Sequence, residues 1–102
     1  MVREFQLVCC VISADGKKSS ADIAACKIKT IPHWERLIEL DGTYIGFIEF
    51  EEASTVPESV YAKRYIKNII KNALDKANVY KKAYVNCSLM VDGLGKSIQF
   101  RV

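Results

Sequence analysis

Apolar residues recur at Ile66, Ile69, Ile70, Ala73, Leu74 and Ala77, the i, i+3, i+4, i+7, i+8 spacing of one stripe on a 3.6-residue helix. Val60 and Tyr61 continue the stripe toward Pro57, a residue suited to a first helical turn, and Ser54 or Thr55 can cap before it. Glu58 and Lys76 lie at the ends where the helix dipole favours an anion and a cation. The pattern predicts a helix over about 57–79. Its other face reads Lys63, Arg64, Lys67, Asn68, Lys71, Asn72, Asp75.

Elsewhere the period is two. From Arg3 to Ser13, Phe5, Leu7, Cys9 and Val11 alternate with Gln6, Val8, Cys10 and Ile12. A strand apolar on both faces belongs at the centre of a covered sheet or at an association surface. A polar turn around Asp15-Gly16 follows. From Ala21 to Thr30, Ala24, Cys26 and Ile28 oppose Ala25, Lys27 and Lys29, which reads as a second strand. Ile31-Pro32-His33 breaks the chain. Trp34–Leu40 and Thr43–Phe50 then flank Asp41-Gly42, the strongest hairpin signal present. A two-residue loop sets Ile38 opposite Ile45, Arg36 opposite Phe47 and Trp34 opposite Glu49. Leu37, Glu39, Tyr44, Gly46, Ile48 and Phe50 share the other side, and neither side is cleanly polar. Beyond the helix, Tyr80–Val91 and Ser97–Val102 alternate around an Asp92-Gly93-Leu94-Gly95 turn.

The predicted fold is α+β. Its order is β-β-β-β-α-β-β, an antiparallel sheet of about five to six strands packed on one long amphipathic helix, in a single domain over 1–102. One helix covers one face, so the other must be solvated, curl on itself or meet a partner.

Charge sharpens this picture. The formal net charge is +3. From His33 to Glu58, Glu35, Glu39, Asp41, Glu49, Glu51, Glu52 and Glu58 face only Arg36, for −6. From Ser59 to Lys82, Lys63, Arg64, Lys67, Lys71, Lys76, Lys81 and Lys82 face only Asp75, for +6. Lys63, Lys67 and Lys71 stack like charges one turn apart, each pair costing a helix roughly 0.2–0.5 kcal/mol. Such a face is a solvated surface or a docking face for an acidic partner.

Half of the residues are apolar, yet no uninterrupted apolar run approaches the roughly 18 residues of a membrane span. The first residues lack a signal-peptide core, so a cytoplasmic location is expected. Cys9, Cys10, Cys26 and Cys87 lack zinc-ligand spacing and read as buried, reduced small hydrophobes, with Cys9 and Cys10 on opposite faces. His33 is the lone histidine and no motif sets a nucleophile beside it. Glu49, Glu51 and Glu52 read as charges blunting a strand edge rather than as metal ligands. Asp92-Gly93-Leu94-Gly95-Lys96-Ser97 lacks the spaced glycine and following helix of a phosphate loop. No catalytic site, cofactor or metal is expected.

Tyr44-Ile45-Gly46-Phe47-Ile48-Glu49-Phe50-Glu51 resembles the longer signature strand of the RNA recognition motif, whose aromatics stack bases. The resemblance covers these eight residues and lacks the motif's basic residue. Phe47 and Phe50 fall on opposite strand faces, and the expected elements put no helix between the first two strands.

These readings point to a small, non-enzymatic binding or regulatory protein, of the kind that inhibits by occlusion. It would dock an acidic protein or nucleic acid through Lys63, Arg64, Lys67 and Lys71, with Lys81, Lys82, Tyr61, Tyr65 and Trp34 as further contacts. The alternatives are a dedicated RNA- or DNA-binding protein, or a homo-oligomer in which the acidic hairpin of one copy meets the basic helix of another. No membrane partner is expected.

Overall fold

The computed structural model describes residues 2–30, 34–51, 58–91 and 97–102, and their side chains except at 2–4, 49–51, 58–61 and 91. The elements run β1 (Val2–Ser13), α1 (Lys18–Thr30), β2 (Glu35–Leu40), β3 (Thr43–Glu51), α2 (Glu58–Lys76), β4 (Ala83–Val91) and β5 (Ser97–Arg101). The sheet order is β2-β3-β1-β4-β5, and every pairing is antiparallel. The first six elements form a split β-α-β arrangement, and β5 adds an edge strand beside β4. The α+β class and the antiparallel sheet of the sequence reading stand; the long helix is matched in outline, and a second helix joins it.

One element differs. Residues 21–30, expected as a strand, belong to helix α1. Ala24 and Ile28 fit an i+2 and an i+4 pattern alike, and burial of Ser20, Ala24 and Ile28 shows that the i+4 period holds. Three alanines favour a helix over a strand. Asp15 sets the entry: its carboxylate accepts the Lys17 amide at 2.9 Å and the hydroxyls of Ser20 at 2.7 Å and Ser13 at 3.1 Å. Those bonds, Ser20's first, hold the Asp15 carboxyl below the usual carboxylate range.

The helical period also turns Cys26 outward, against the expectation that it is buried. Cys10 is half-buried on the sheet face opposite Cys9. Cys9 and Cys87 are buried strand partners, their sulfurs 3.8 Å apart.

α2 delivers its stripe to the core through Ala62, Ile66, Ile70, Ala73 and Leu74, over Leu7, Val85 and Leu89 of the central strands. It stops at Lys76, short of 79, in a Schellman turn. The Val79 amide reaches the Leu74 carbonyl at 2.9 Å, the Asn78 amide reaches Asp75 at 3.0 Å, and Asn78 takes φ 59. Leu74 and Val79 are buried together.

The hairpin places Ile38 opposite Ile45 as expected, but a bulge follows toward the strand start. Glu35, not Arg36, therefore faces Phe47, and Trp34 precedes the strand instead of pairing with Glu49. Arg36 occupies the bulge at φ 54. The Tyr44–Gly46–Ile48 side is the buried one. Gly46 leaves room there for the Trp34 ring, whose Nε1–H donates to the Ile28 carbonyl at 2.7 Å. Trp34 thus ties the end of α1 to β3.

Candidate functional site

With Ala62, Ile66, Ile70, Ala73 and Leu74 turned to the core, the helical period carries Lys63, Arg64, Lys67 and Lys71 to the outside. Lys63 is half-buried and the other three are exposed. Lys63, Lys67 and Lys71 follow one another at about 6 Å along the axis. Among the described residues the ion pair is Lys29–Glu39 at 2.9 Å, and none of these four cations pairs with a carboxylate. Asp75, one turn beyond Lys71, is exposed and makes no bond to it.

The Schellman turn hands the chain to Val79-Tyr80-Lys81-Lys82, closed by the Lys82 amide on the Val79 carbonyl at 2.9 Å. Lys81 sits at φ 69, a left-handed conformation that costs a lysine energy. The Lys82 carbonyl accepts the amides of Ala14 at 2.9 Å and Asp15 at 3.2 Å, which anchors the turn to the β1–α1 connection. The Tyr80 ring is half-buried, with Lys71 Nζ 5.5 Å and Lys81 Nζ 5.9 Å from its centroid. Tyr80 therefore joins the helix cations to the turn cations.

Past Tyr80, an open pocket of about 440 Å³ is lined by Tyr80, Lys81, Tyr84, Arg101 and Val102. The Arg101 guanidinium lies 5.1 Å from the Tyr84 ring centroid, and its Nε–H donates to Asn86 Oδ1 at 2.8 Å. Asn86 and Arg101 are strand partners across β4 and β5. Sequence reasoning missed Tyr80, Tyr84 and Arg101. The tyrosines flanking Lys81-Lys82 were a visible signal, whereas Arg101 joins them only through strand register.

Of the remaining expected contacts, Lys82 is exposed on the turn, Tyr65 is 44% exposed on α2, and the Tyr61 side chain lies outside the described residues. The structure does not bring Trp34 to this ridge; it is committed to Ile28 and Gly46. His33, residues 52–57 and residues 92–96, with the expected cap at Ser54 or Thr55, lie outside the described residues. The same holds for the Glu49 and Glu51 side chains. Among the described residues no three His, Cys, Asp or Glu side chains gather to hold a metal ion. No described helix is long and apolar enough to cross a membrane.

Both helices pack on one sheet face. The opposite face carries Val8, Cys10, Ile12, Ile38, Leu40, Ile45, Phe47 and Met90. A helix does stand between the first two strands, contrary to the sequence reading, so that departure from the RNA recognition motif falls away. Another appears: the Arg36 guanidinium covers Phe47 at 4.2 Å, and the strand partners of Phe47 are Gln6 and Glu35 rather than aromatic residues. Tyr44, from the same string, is buried with its hydroxyl donating to Glu39 Oε1 at 3.2 Å. Among the described side chains, the string forms no aromatic platform. No protein-family model matches the chain, and neither does any curated protein or solved structure.

Proposed function

We propose that this protein is a non-enzymatic binding module that docks an acidic macromolecule on Lys63, Arg64, Lys67 and Lys71 and their continuation at Lys81 and Lys82. The observation carrying the reading is the meeting of Lys71 and Lys81 at Tyr80, without a carboxylate partner among the described residues. Like charges one turn apart destabilise a free helix, and an incoming anion offsets that cost. A one-sign ridge also steers an acidic partner during diffusion, raising association rates in a salt-dependent way.

The test titrates the parent protein and the Lys67→Glu/Lys71→Glu variant against fluorescein-labelled polyglutamate and a labelled oligonucleotide, at low and moderate salt. The parent should bind at least one polyanion with affinity falling as salt rises, and the variant should bind it at least about tenfold more weakly, as befits losing two charge contacts. Equal binding by both proteins, or no binding by the parent, overturns the proposal.

A further inference from the structure

We infer that the acidic partner is a single-stranded nucleic acid, one base of which enters the pocket between the α2–β4 turn and the end of β5. The inference rests on the reading of the α2 ridge as a docking face and identifies what that face docks.

The pocket's chemistry carries the argument. Tyr80 and Tyr84 contribute two aromatic rings, and each ring has a cation within 6 Å of its centroid: Lys71 and Lys81 at Tyr80, Arg101 at Tyr84. Cations beside aromatic rings are the arrangement that grips a charged backbone while a base stacks. Arg101 is held for this by Asn86, and its planar guanidinium is itself a stacking surface. The volume of about 440 Å³ falls within the range of small-ligand pockets, so a planar group with its sugar can be admitted. Lys81 keeps a left-handed backbone within that lining, and such strain collects where a ligand is clamped.

A folded acidic protein matches this less well, because carboxylates satisfy the lysines and leave the rings without a planar partner. A duplex matches it less well too, since its bases are already stacked. A single strand can unstack locally, and unstacking frees the base that the pocket takes.

The experiment measures fluorescence anisotropy with labelled oligodeoxythymidine of roughly a dozen nucleotides, within known single-strand site sizes. A duplex of equal length and labelled polyglutamate serve as competing probes. Parent, Tyr84→Leu, Arg101→Gln and Lys67→Glu/Lys71→Glu proteins are each titrated over a salt series, with circular dichroism confirming the fold. The parent should prefer the single strand. Tyr84→Leu should weaken it about 5- to 100-fold with an unchanged salt slope, because it removes stacking and no charge. Arg101→Gln should weaken it and lower the slope by about one phosphate's worth. Arg101 is exposed, so its variant tests the pocket even if Tyr84→Leu does not fold. Equal affinity for duplex, or Tyr84→Leu and Arg101→Gln without effect while the lysine variant loses binding, overturns the pocket and leaves the docking face standing. Polyglutamate bound and oligonucleotide ignored has the same meaning. Neither probe bound by the parent overturns both.

Discussion

Gly46→Ala should destabilise this protein by about 2–3 kcal/mol, from overpacking and a weakened hydrogen bond. A Cβ at Gly46 would lie 2.5 Å from Trp34 Cε3, 3.2 Å from Cζ3 and 3.3 Å from the Glu35 carbonyl oxygen. Carbon atoms pack at roughly 3.5–4.0 Å, so the indole must retreat by about 1 Å. It is tethered against doing so by its 2.7 Å hydrogen bond to the Ile28 carbonyl. Overpacking of this kind costs about 1–3 kcal/mol and a lost hydrogen bond about 1 more, while alanine's stiffer unfolded chain returns about 0.4–1. For a domain of this size the melting temperature should drop by about 10–20 °C. Trp34 is the only tryptophan, so its fluorescence in a urea titration reports the transition directly. The decisive measurement is the cycle with Trp34→Ala. In that background Gly46→Ala should cost far less, since both indole contacts are gone and only the 3.3 Å approach to the Glu35 carbonyl oxygen remains against the entropy gain. An equal loss in both backgrounds would refute the reasoning. The same cycle bears on binding, because a Trp34 committed to Ile28 and Gly46 acts on stability and not on partner affinity.

Lys67→Glu alone should stabilise the fold by about 0.8–2 kcal/mol at low salt, since it turns two repulsive one-turn pairs, with Lys63 and Lys71, into attractive ones. A melting temperature that stays put or falls would show that the helix cations do not repel. The Lys29–Glu39–Tyr44 cluster should give stability a two-sided pH profile. Glu39 is held below the usual carboxylate range, chiefly by its bond to Lys29, so its contribution is complete above that range and is lost as pH falls through the lowered value. Lys29 is raised, chiefly by its bond to Glu39, and Tyr44 by burial, so their contributions are complete below the ordinary values and are lost as pH rises through the raised ones. The stability advantage of the parent over Glu39→Gln should therefore be largest near neutrality, and a pH-independent difference in melting temperature would contradict this. Thiol titration of the native protein should modify exposed Cys26 first and half-buried Cys10 more slowly. Cys9 and Cys87 should react only on denaturation, because a bond to Cys87 and burial push the Cys9 thiol far above its usual range. Four thiols reacting together in the folded state would show that the β1–β4 interior is open.

The long helix was legible because its apolar stripe runs for several turns, which leaves the helical period no competitor. The central strand was legible for the opposite reason: β1 is apolar on both faces and pairs on both edges. The Asp41-Gly42 loop set the Ile38–Ile45 register correctly, but nothing in Glu35-Arg36-Leu37 announces a bulge, since a bulge answers to how the strand meets its neighbour. α1 was misread where Ala24 and Ile28 satisfy two periods at once, and that error carried Cys26 from the surface into a supposed core. The lysines of α2 could be placed on one face from spacing alone. Their junction with Lys81 could not, because it depends on a left-handed Asn78 folding Tyr80 back beneath Lys71. Arg101 beside Tyr84 was beyond reach, because the β4–β5 register brings together residues fifteen positions or more apart.

The two faces of the sheet divide the chemistry. One face is buried under the helices. The other exposes Ile12, Ile38, Leu40 and Met90 beside polar Glu35, Ser97, Gln99 and Arg101, and its Phe47 is already paired with Arg36. A fold that superficially suits base stacking on its open sheet thus has Phe47 covered by Arg36 and Tyr84 at its far end, which is why topology alone cannot assign the role. The rings that share one pocket with cations are Tyr80 and Tyr84. Tyr84 pairs with Ile12, so the pocket adjoins both surfaces. A polyanion held in the pocket has two ways out, across aliphatic side chains or along lysines. Desolvating phosphates against Ile12 is costly, whereas the α2 ridge supplies a cation at each turn. On the proposed reading, charge would therefore direct a bound strand along the helix rather than across the aliphatic side chains beside Ile12.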